Sequence, residues 1–117
     1  MLFRSFNYGS RREIADAAAS LARDVASGVM TVDEITEDVL SERLNTRGIP
    51  DPDLVIRTSG EERLSNFLMW QSAYSELYFS ATLWPDFSHE ALLEAVHAYQ
   101  ARDRRFGGLS VLTGVAR

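Results

Sequence analysis

The residues best suited to chemistry lie between Arg57 and Glu76. Arg57 ends a short apolar run, Leu54-Val55-Ile56, which follows the turn-forming Asp51-Pro52-Asp53. The loop after it, Thr58-Ser59-Gly60, leads on to Arg63, Leu64 and Ser65, so two guanidiniums, hydroxyls and a glycine-relaxed backbone fall within nine residues. A planar guanidinium can meet two phosphate oxygens at once, and this composition therefore suits a phosphorylated ligand. The competing reading is that Arg57 and Arg63 pair with Asp53, Glu61 or Glu62 as surface ion pairs of little energy. Glu76 is the second candidate. It follows an aromatic-rich segment and opens another apolar run, Leu77-Tyr78-Phe79, where a carboxylate is out of place unless it meets a cation. Magnesium fits that description, because it takes oxygen ligands and is typically held by one or two carboxylates together with substrate phosphates. An arginine partner, or a place on a sheet edge, explains Glu76 equally well.

These residues need elements to hold them. The runs Leu54–Ile56 and Leu77–Phe79 read as short strands, the first delivering Arg57 to its C-terminal end, where ligands of open parallel sheets collect. Ser10 with Glu13 reads as a capping box opening a helix whose stripe is Ile14, Ala17, Ala18, Leu21, Ala22 and Val25, up to Gly28. Thr31 with Glu34 reads as a second box before a shorter, broken helix carrying Ile35, Val39 and Leu44. Ser65 or Asn66 is placed to cap a third helix, with Phe67, Trp70 and Tyr74 at helical spacing, and Ser88 to cap a last one with Leu92, Val96 and Tyr99, ended by Gly107-Gly108. Residues 1–5 read as an irregular or truncated strand stub and 109–117 as a flexible tail. Helices alternating with short apolar strands predict an α/β fold, a partial Rossmann-like parallel sheet flanked by helices. With two or three strands in view, the inventory reads as half of a larger sheet.

Composition narrows the function. The chain has 117 residues, which allows one domain at most. Its net charge of −5 argues against a general nucleic-acid binder, whose surface is basic. All 12 basic residues are Arg, which excludes lysine Schiff-base and P-loop chemistry, and the lack of Cys excludes disulfides, zinc thiolates and cysteine nucleophiles. No apolar stretch approaches the roughly 18 residues of a membrane span, and no signal-peptide core opens the chain, so a cytoplasmic protein is expected. His89 and His97 read as solvent-facing or packing residues, since nothing pairs them into a constellation. Dinucleotide fingerprints, Walker loops, HExxH and GxSxG are absent.

A longer pattern gathers these features. The run Pro52-Asp53-Leu54-Val55-Ile56-Arg57-Thr58-Ser59-Gly60-Glu61, then Arg63-Leu64-Ser65-Asn66-Phe67-Leu68, Trp70-Gln71, Glu76-Leu77-Tyr78-Phe79 and Leu83-Trp84-Pro85-Asp86-Phe87 resembles the C-terminal signature of the cis-prenyltransferases. Phe6-Asn7-Tyr8-Gly9-Ser10-Arg11 and Arg104-Arg105-Phe106-Gly107-Gly108 resemble two further segments of that undecaprenyl (or decaprenyl) diphosphate synthase family, in the same order. The resemblance implies that Arg57, Arg63, Leu64 and Ser65 bind the diphosphate of isopentenyl diphosphate, and that Glu76 helps hold magnesium. It implies that Arg105 and Gly107 reach across a homodimer interface to the partner's substrate phosphates, and it places Asn7 and Arg11, more loosely, near the allylic diphosphate. The activity it implies is condensation of isopentenyl diphosphate with an allylic diphosphate, with peripheral membrane association through the lipid product. One departure stands out: the family's opening Asp-Gly-Asn-Gly-Arg-Trp-Ala motif, with its catalytic aspartate, is missing. The chain is therefore expected to be the C-terminal half of such a domain, 1–117, without catalytic residues of its own and inactive alone. A non-catalytic partner subunit and a phosphate-binding α/β interaction module remain the alternatives.

Overall fold

In this computed structural model the described residues are 7–102. They comprise helices α1 (Ser10–Ala26), α2 (Glu37–Ser41) and α3 (His89–Gln100), strands β1 (Leu54–Arg57) and β2 (Glu76–Phe79), and two short 3-10 turns at Val32–Glu34 and Trp84–Asp86. Two compact units result. One is formed by the residues up to Asp53 together with Glu62–Ser75, and the other by Leu54–Glu61 together with the residues from Glu76 on. The expected strand stub at 1–5, the tail at 109–117 and the Gly107-Gly108 helix stop lie outside the described residues.

In the first unit, α1 is rich in alanine and free of glycine and proline, which favours helix along its whole length. It ends where Gly28 turns left-handed at φ 75° and the N–H of Val29 reaches back to Asp24 O at 2.9 Å, a termination that glycine permits at little steric cost. The buried face of α1 is Ser10, Glu13, Ala17 and Leu21, spaced by three or four residues as one helical stripe. This stripe is rotated from the one expected from the apolar residues: Ala18 and Ala22 face solvent and Glu13 is inside. The Ser10–Glu13 capping box does not form either. Gly9 is the N-cap, without a side-chain cap, and both box residues point into the unit for reasons given below. The Thr31–Glu34 box does form, with the Thr31 N–H donating to Glu34 Oε2 at 2.6 Å, but it opens a single 3-10 turn. Helix α2 begins afresh at Thr36, whose side chain accepts the N–H of Val39 at 3.3 Å. Helix α2 packs against α1, and Leu44 just beyond it is buried.

The third expected helix is absent. Residues 65–74 run as successive turns instead, because Ser65, Asn66 and Leu68 hold left-handed backbone at φ 48°, 62° and 45°, which an α-helix cannot accommodate. Trp70 still turns inward and donates its indole N–H to Ser41 Oγ at 3.0 Å, and Gln71 and Ser72 are buried.

In the second unit, β1 and β2 pair in parallel with Leu54 opposite Glu76 and Arg57 opposite Phe79. Both strands appear where the apolar runs place them, and all eight of their residues are half-buried. Helix α3 packs on β2, with Ala95 fully buried, and is capped as expected by Ser88, which accepts the N–H of Ala91 at 3.3 Å. The fold is α/β, with a two-stranded parallel sheet and helices among the described residues.

Candidate functional site

In the second unit, Arg57 is the last residue of β1, at the end of the sheet where ligands of parallel sheets are bound. Directly after it the chain turns sharply, with Ser59 and Gly60 both left-handed at φ 72° and 70°. Their N–H groups donate to Thr82 O and Ser80 O, each at 2.9 Å, while Ser80 N–H donates to Arg57 O at 2.7 Å. These bonds continue the β1–β2 pairing into the loop. They also remove the Ser59 and Gly60 amides from the anion-binding set suggested by the sequence, since each N–H already has a carbonyl. The Arg57 side chain is mostly buried and pairs with Glu61, one of the three partners named for it from sequence.

Glu76 stands at the other end. Because β1 and β2 are parallel and in register, the first residue of β2 lies beside Leu54, three residues from the Arg57–Phe79 pair. At about 3.3 Å per residue, that separates the two backbone positions by roughly 10 Å along the sheet. The Glu76 carboxylate accepts from the Arg102 guanidinium at 2.7 Å, and the same nitrogen donates to Leu77 O at 2.8 Å. Arg102, just past α3, carries no signal in the sequence: of the run Arg102-Asp103-Arg104-Arg105 the family resemblance marks Arg105 instead. As a test of magnesium binding, Glu76 offers one half-buried carboxylate that already meets a cation, and no group of three His, Asp or Glu converges among the described residues. That donor set fits an ion taking its remaining ligands from phosphate and water, and does not compose an all-protein metal cage.

Arg63, Leu64 and Ser65 belong to the first unit. Arg63 and Ser65 are exposed, and Leu64 O accepts the N–H of Phe67 at 3.1 Å. Asn66 is the surprise. Its carbonyl accepts the N–H of Ser10 at 2.8 Å and its side-chain Oδ1 accepts the N–H of Arg11 at 2.7 Å, so it caps α1 rather than a helix of its own. Ser10 Oγ, fully buried, accepts the N–H of Met69 at 2.9 Å. Behind this contact sits the Glu13 carboxylate, accepting Tyr8 OH at 2.5 Å, Asn45 N–H at 2.7 Å and Gln71 Nε2 at 3.2 Å. Gln71 also donates to Thr46 Oγ1 at 3.0 Å. Burial, and next the bond to Glu13, raise the Tyr8 hydroxyl above its ordinary pKa, keeping it a donor. Asn7, left-handed at φ 54°, and Arg11 lie at this same helix start, while Arg105 and Gly107 fall outside the described residues.

The chain matches the Prenyltransf family model, described as undecaprenyl diphosphate synthase, over residues 1–107. It belongs to this family. An isoprenyl transferase of Agrobacterium fabrum is 58% identical over 112 residues, covering 96% of this chain and 45% of the relative. One from Thermotoga maritima is 56% identical over 108 residues, covering 92% of this chain and 46% of the relative. Among solved structures, lavandulyl diphosphate synthase from Lavandula x intermedia, in complex with dimethylallyl diphosphate, superposes with a TM-score of 0.81 at 43% identity, over 86% of this chain and 43% of that one. The chain thus spans less than half the length of these cis-prenyltransferase relatives, and the segment it shares with them includes Arg57, Arg63, Ser65 and Glu76.

Proposed function

We propose that this chain is the C-terminal, isopentenyl-diphosphate-binding portion of an isoprenyl transferase. The whole enzyme would condense isopentenyl diphosphate with an allylic diphosphate into a Z-polyprenyl diphosphate. The observation that carries this reading is the family match across residues 1–107, within which Arg57 occupies the C-terminal end of a parallel strand. Arg57, Arg63 and Ser65, with the backbone at Leu64, would bind the diphosphate, since guanidinium forks and hydroxyls supply the donors that phosphate oxygens need. Arg105 and Gly107 would complete the site from a second copy of the chain. Glu76 would hold magnesium in place of its contact with Arg102, and the ion, when bound, neutralises charge on the diphosphates. Holding the two substrates in line requires a second phosphate cradle and a catalytic carboxylate, for which this sequence has no Asp-Gly-Asn-Gly-Arg segment. The chain by itself would therefore not turn over.

Homodimerisation is supported by large apolar side chains left on the surface: Phe67 at 44%, Tyr74 at 73% and Trp84 at 70% exposure. Among the described residues no helix is long and apolar enough to cross a membrane, and a cytoplasmic protein that meets the bilayer through its lipid product is the accompanying reading. The missing aspartate segment equally suits a second reading, a non-catalytic partner subunit.

Two experiments decide. Calorimetry with pyrophosphate should show Arg57→Ala weakening binding about 10- to 100-fold, from about 1.5 to 3 kcal/mol per charged hydrogen bond; equal affinity for wild type and the Arg57→Ala, Arg63→Ala double variant would refute the site. Magnesium-dependent incorporation of labelled isopentenyl diphosphate onto farnesyl diphosphate should be absent for the chain alone and appear when a family N-terminal half is supplied. Turnover by residues 1–117 alone would overturn the fragment reading, and no turnover with the supplied half would favour the partner subunit.

A further inference from the structure

We propose that Asn66 is a positioning residue that locks the Arg63–Ser65 loop onto the first turn of α1, making that helix the rigid mount of the diphosphate-binding loop. The proposal rests on the reading of Arg63 and Ser65 given above.

The lock has parts on both sides. Helix α1 begins without a cap of its own, because Gly9 at the N-cap has no side chain to offer. Asn66 fills that role from 55 residues away through its Oδ1 on Arg11 N–H, while its carbonyl takes Ser10 N–H. The reciprocal bond runs the other way, from Met69 N–H to the buried Ser10 hydroxyl. Three hydrogen bonds therefore bracket the segment 66–69 against one helical turn. Gly9 leaves room for the lock: a Cβ there would lie 2.7 Å from Asn66 Nδ2, so a larger residue would push the Asn66 amide from its place. Ser65 and Asn66 are consecutive left-handed residues without the freedom of glycine, a conformation that persists only where surrounding contacts enforce it. Ser65 is thus aimed by a backbone geometry that the helix imposes, and Arg63 follows two residues before it. A short exposed loop without this mount would sample many orientations, and binding would carry the ordering cost.

Asn66→Gly isolates the side chain, because glycine keeps the left-handed backbone and the carbonyl bond while deleting Oδ1. In the 117-residue chain, pyrophosphate affinity should fall on the order of tenfold in Asn66→Gly, the scale of losing one ordered charged contact. The loss should vanish when Arg63 and Ser65 are already alanine, since Asn66 acts through them. Gly9→Ala, which crowds Asn66 from the other side, should reproduce the effect. By nuclear magnetic resonance, the Arg11 amide should lose exchange protection and the Arg63 and Ser65 amides should shift in Asn66→Gly, and Asn66→Asp, which keeps the acceptor, should restore the Arg11 protection. Arg63→Ala weakening pyrophosphate binding while Asn66→Gly does not would overturn the positioning role alone, as would equal losses from Asn66→Gly in the presence and absence of Arg63 and Ser65. Equal pyrophosphate affinity in wild type and Arg63→Ala would instead defeat the reading of the loop as a diphosphate site.

Discussion

Replacing Glu13 by alanine should destabilise the chain far more than an ordinary surface substitution on α1. The carboxylate is 6% exposed and receives Tyr8 OH, Asn45 N–H and Gln71 Nε2, tying together groups that lie 5, 32 and 58 residues away in sequence. Hydrogen bonds to a charged group contribute about 1.5 to 3 kcal/mol each, but the three partners would not be orphaned equally. Gln71 keeps Thr46, and Asn45 lies on an exposed residue that water can reach, so one full bond and parts of two others are lost. That amounts to about 3 kcal/mol, a large fraction of the roughly 5 to 15 kcal/mol that holds a domain together. In urea unfolding followed by tryptophan fluorescence, the midpoint should fall by about 1.5 M for a slope near 2 kcal/mol/M. Glu13→Gln should lose less than half as much. Its amide oxygen can keep Asn45, and its NH2 can donate to the Tyr8 hydroxyl turned about its C–O bond or to Gln71 Oε1, which has no hydrogen-bond partner. A loss below about 1 kcal/mol for the alanine variant, or equal losses for alanine and glutamine, would refute the idea of a buried acceptor hub.

Tyr8 provides a pH test: a hydroxyl raised above its ordinary 10.0 favours the protonated folded state, so its contribution is complete below pH 10 and is lost as pH rises through the elevated value. Tyr8→Phe should flatten the alkaline fall in stability measured between pH 9 and 12. Ser88→Ala removes the α3 cap and should cost about 1 kcal/mol, with faster amide exchange at Ala91. Arg102→Ala breaks a pair whose side chains are 42% and 27% exposed, so the loss should stay within about 1 kcal/mol and shrink further in 0.5 M salt.

The strands were legible because runs of Val, Ile, Leu and aromatics bounded by turn residues leave few alternatives, and Arg57 at the end of β1 followed directly. The separation of Arg57 from Glu76 came only with the register, in which one ends its strand and the other begins a parallel one. What misled was periodicity without a helix. Phe67, Trp70 and Tyr74 recur at helical spacing, yet the backbone around Ser65, Asn66 and Leu68 is left-handed, and no glycine announces it. Ser10 and Glu13 carry the pattern of a capping box, but stronger partners, Met69 for the hydroxyl and Tyr8, Asn45 and Gln71 for the carboxylate, come from distant segments. Local pattern cannot reveal a competitor that only the tertiary fold brings near. Asn66 was legible as a helix cap, though the helix it caps lies 55 residues upstream.

The pairing of Arg57 with Glu61 has a consequence for selectivity. An anion arriving at the end of β1 does not meet a bare cation; it must evict a carboxylate tethered four residues away, whose effective concentration is high. A singly charged visitor such as acetate gains little from the exchange, because it offers the guanidinium the same chemistry that Glu61 already supplies. A diphosphate carries more charge and more acceptor oxygens than one carboxylate, so for it the exchange would be favourable. At the diphosphate site proposed for Arg57, Glu61 would thereby act as a threshold that only strongly binding anions pass. The displacement penalty is common to all visitors, so the ratio between two anions is set by their own contacts, while weak ones fall below the concentration at which they bind.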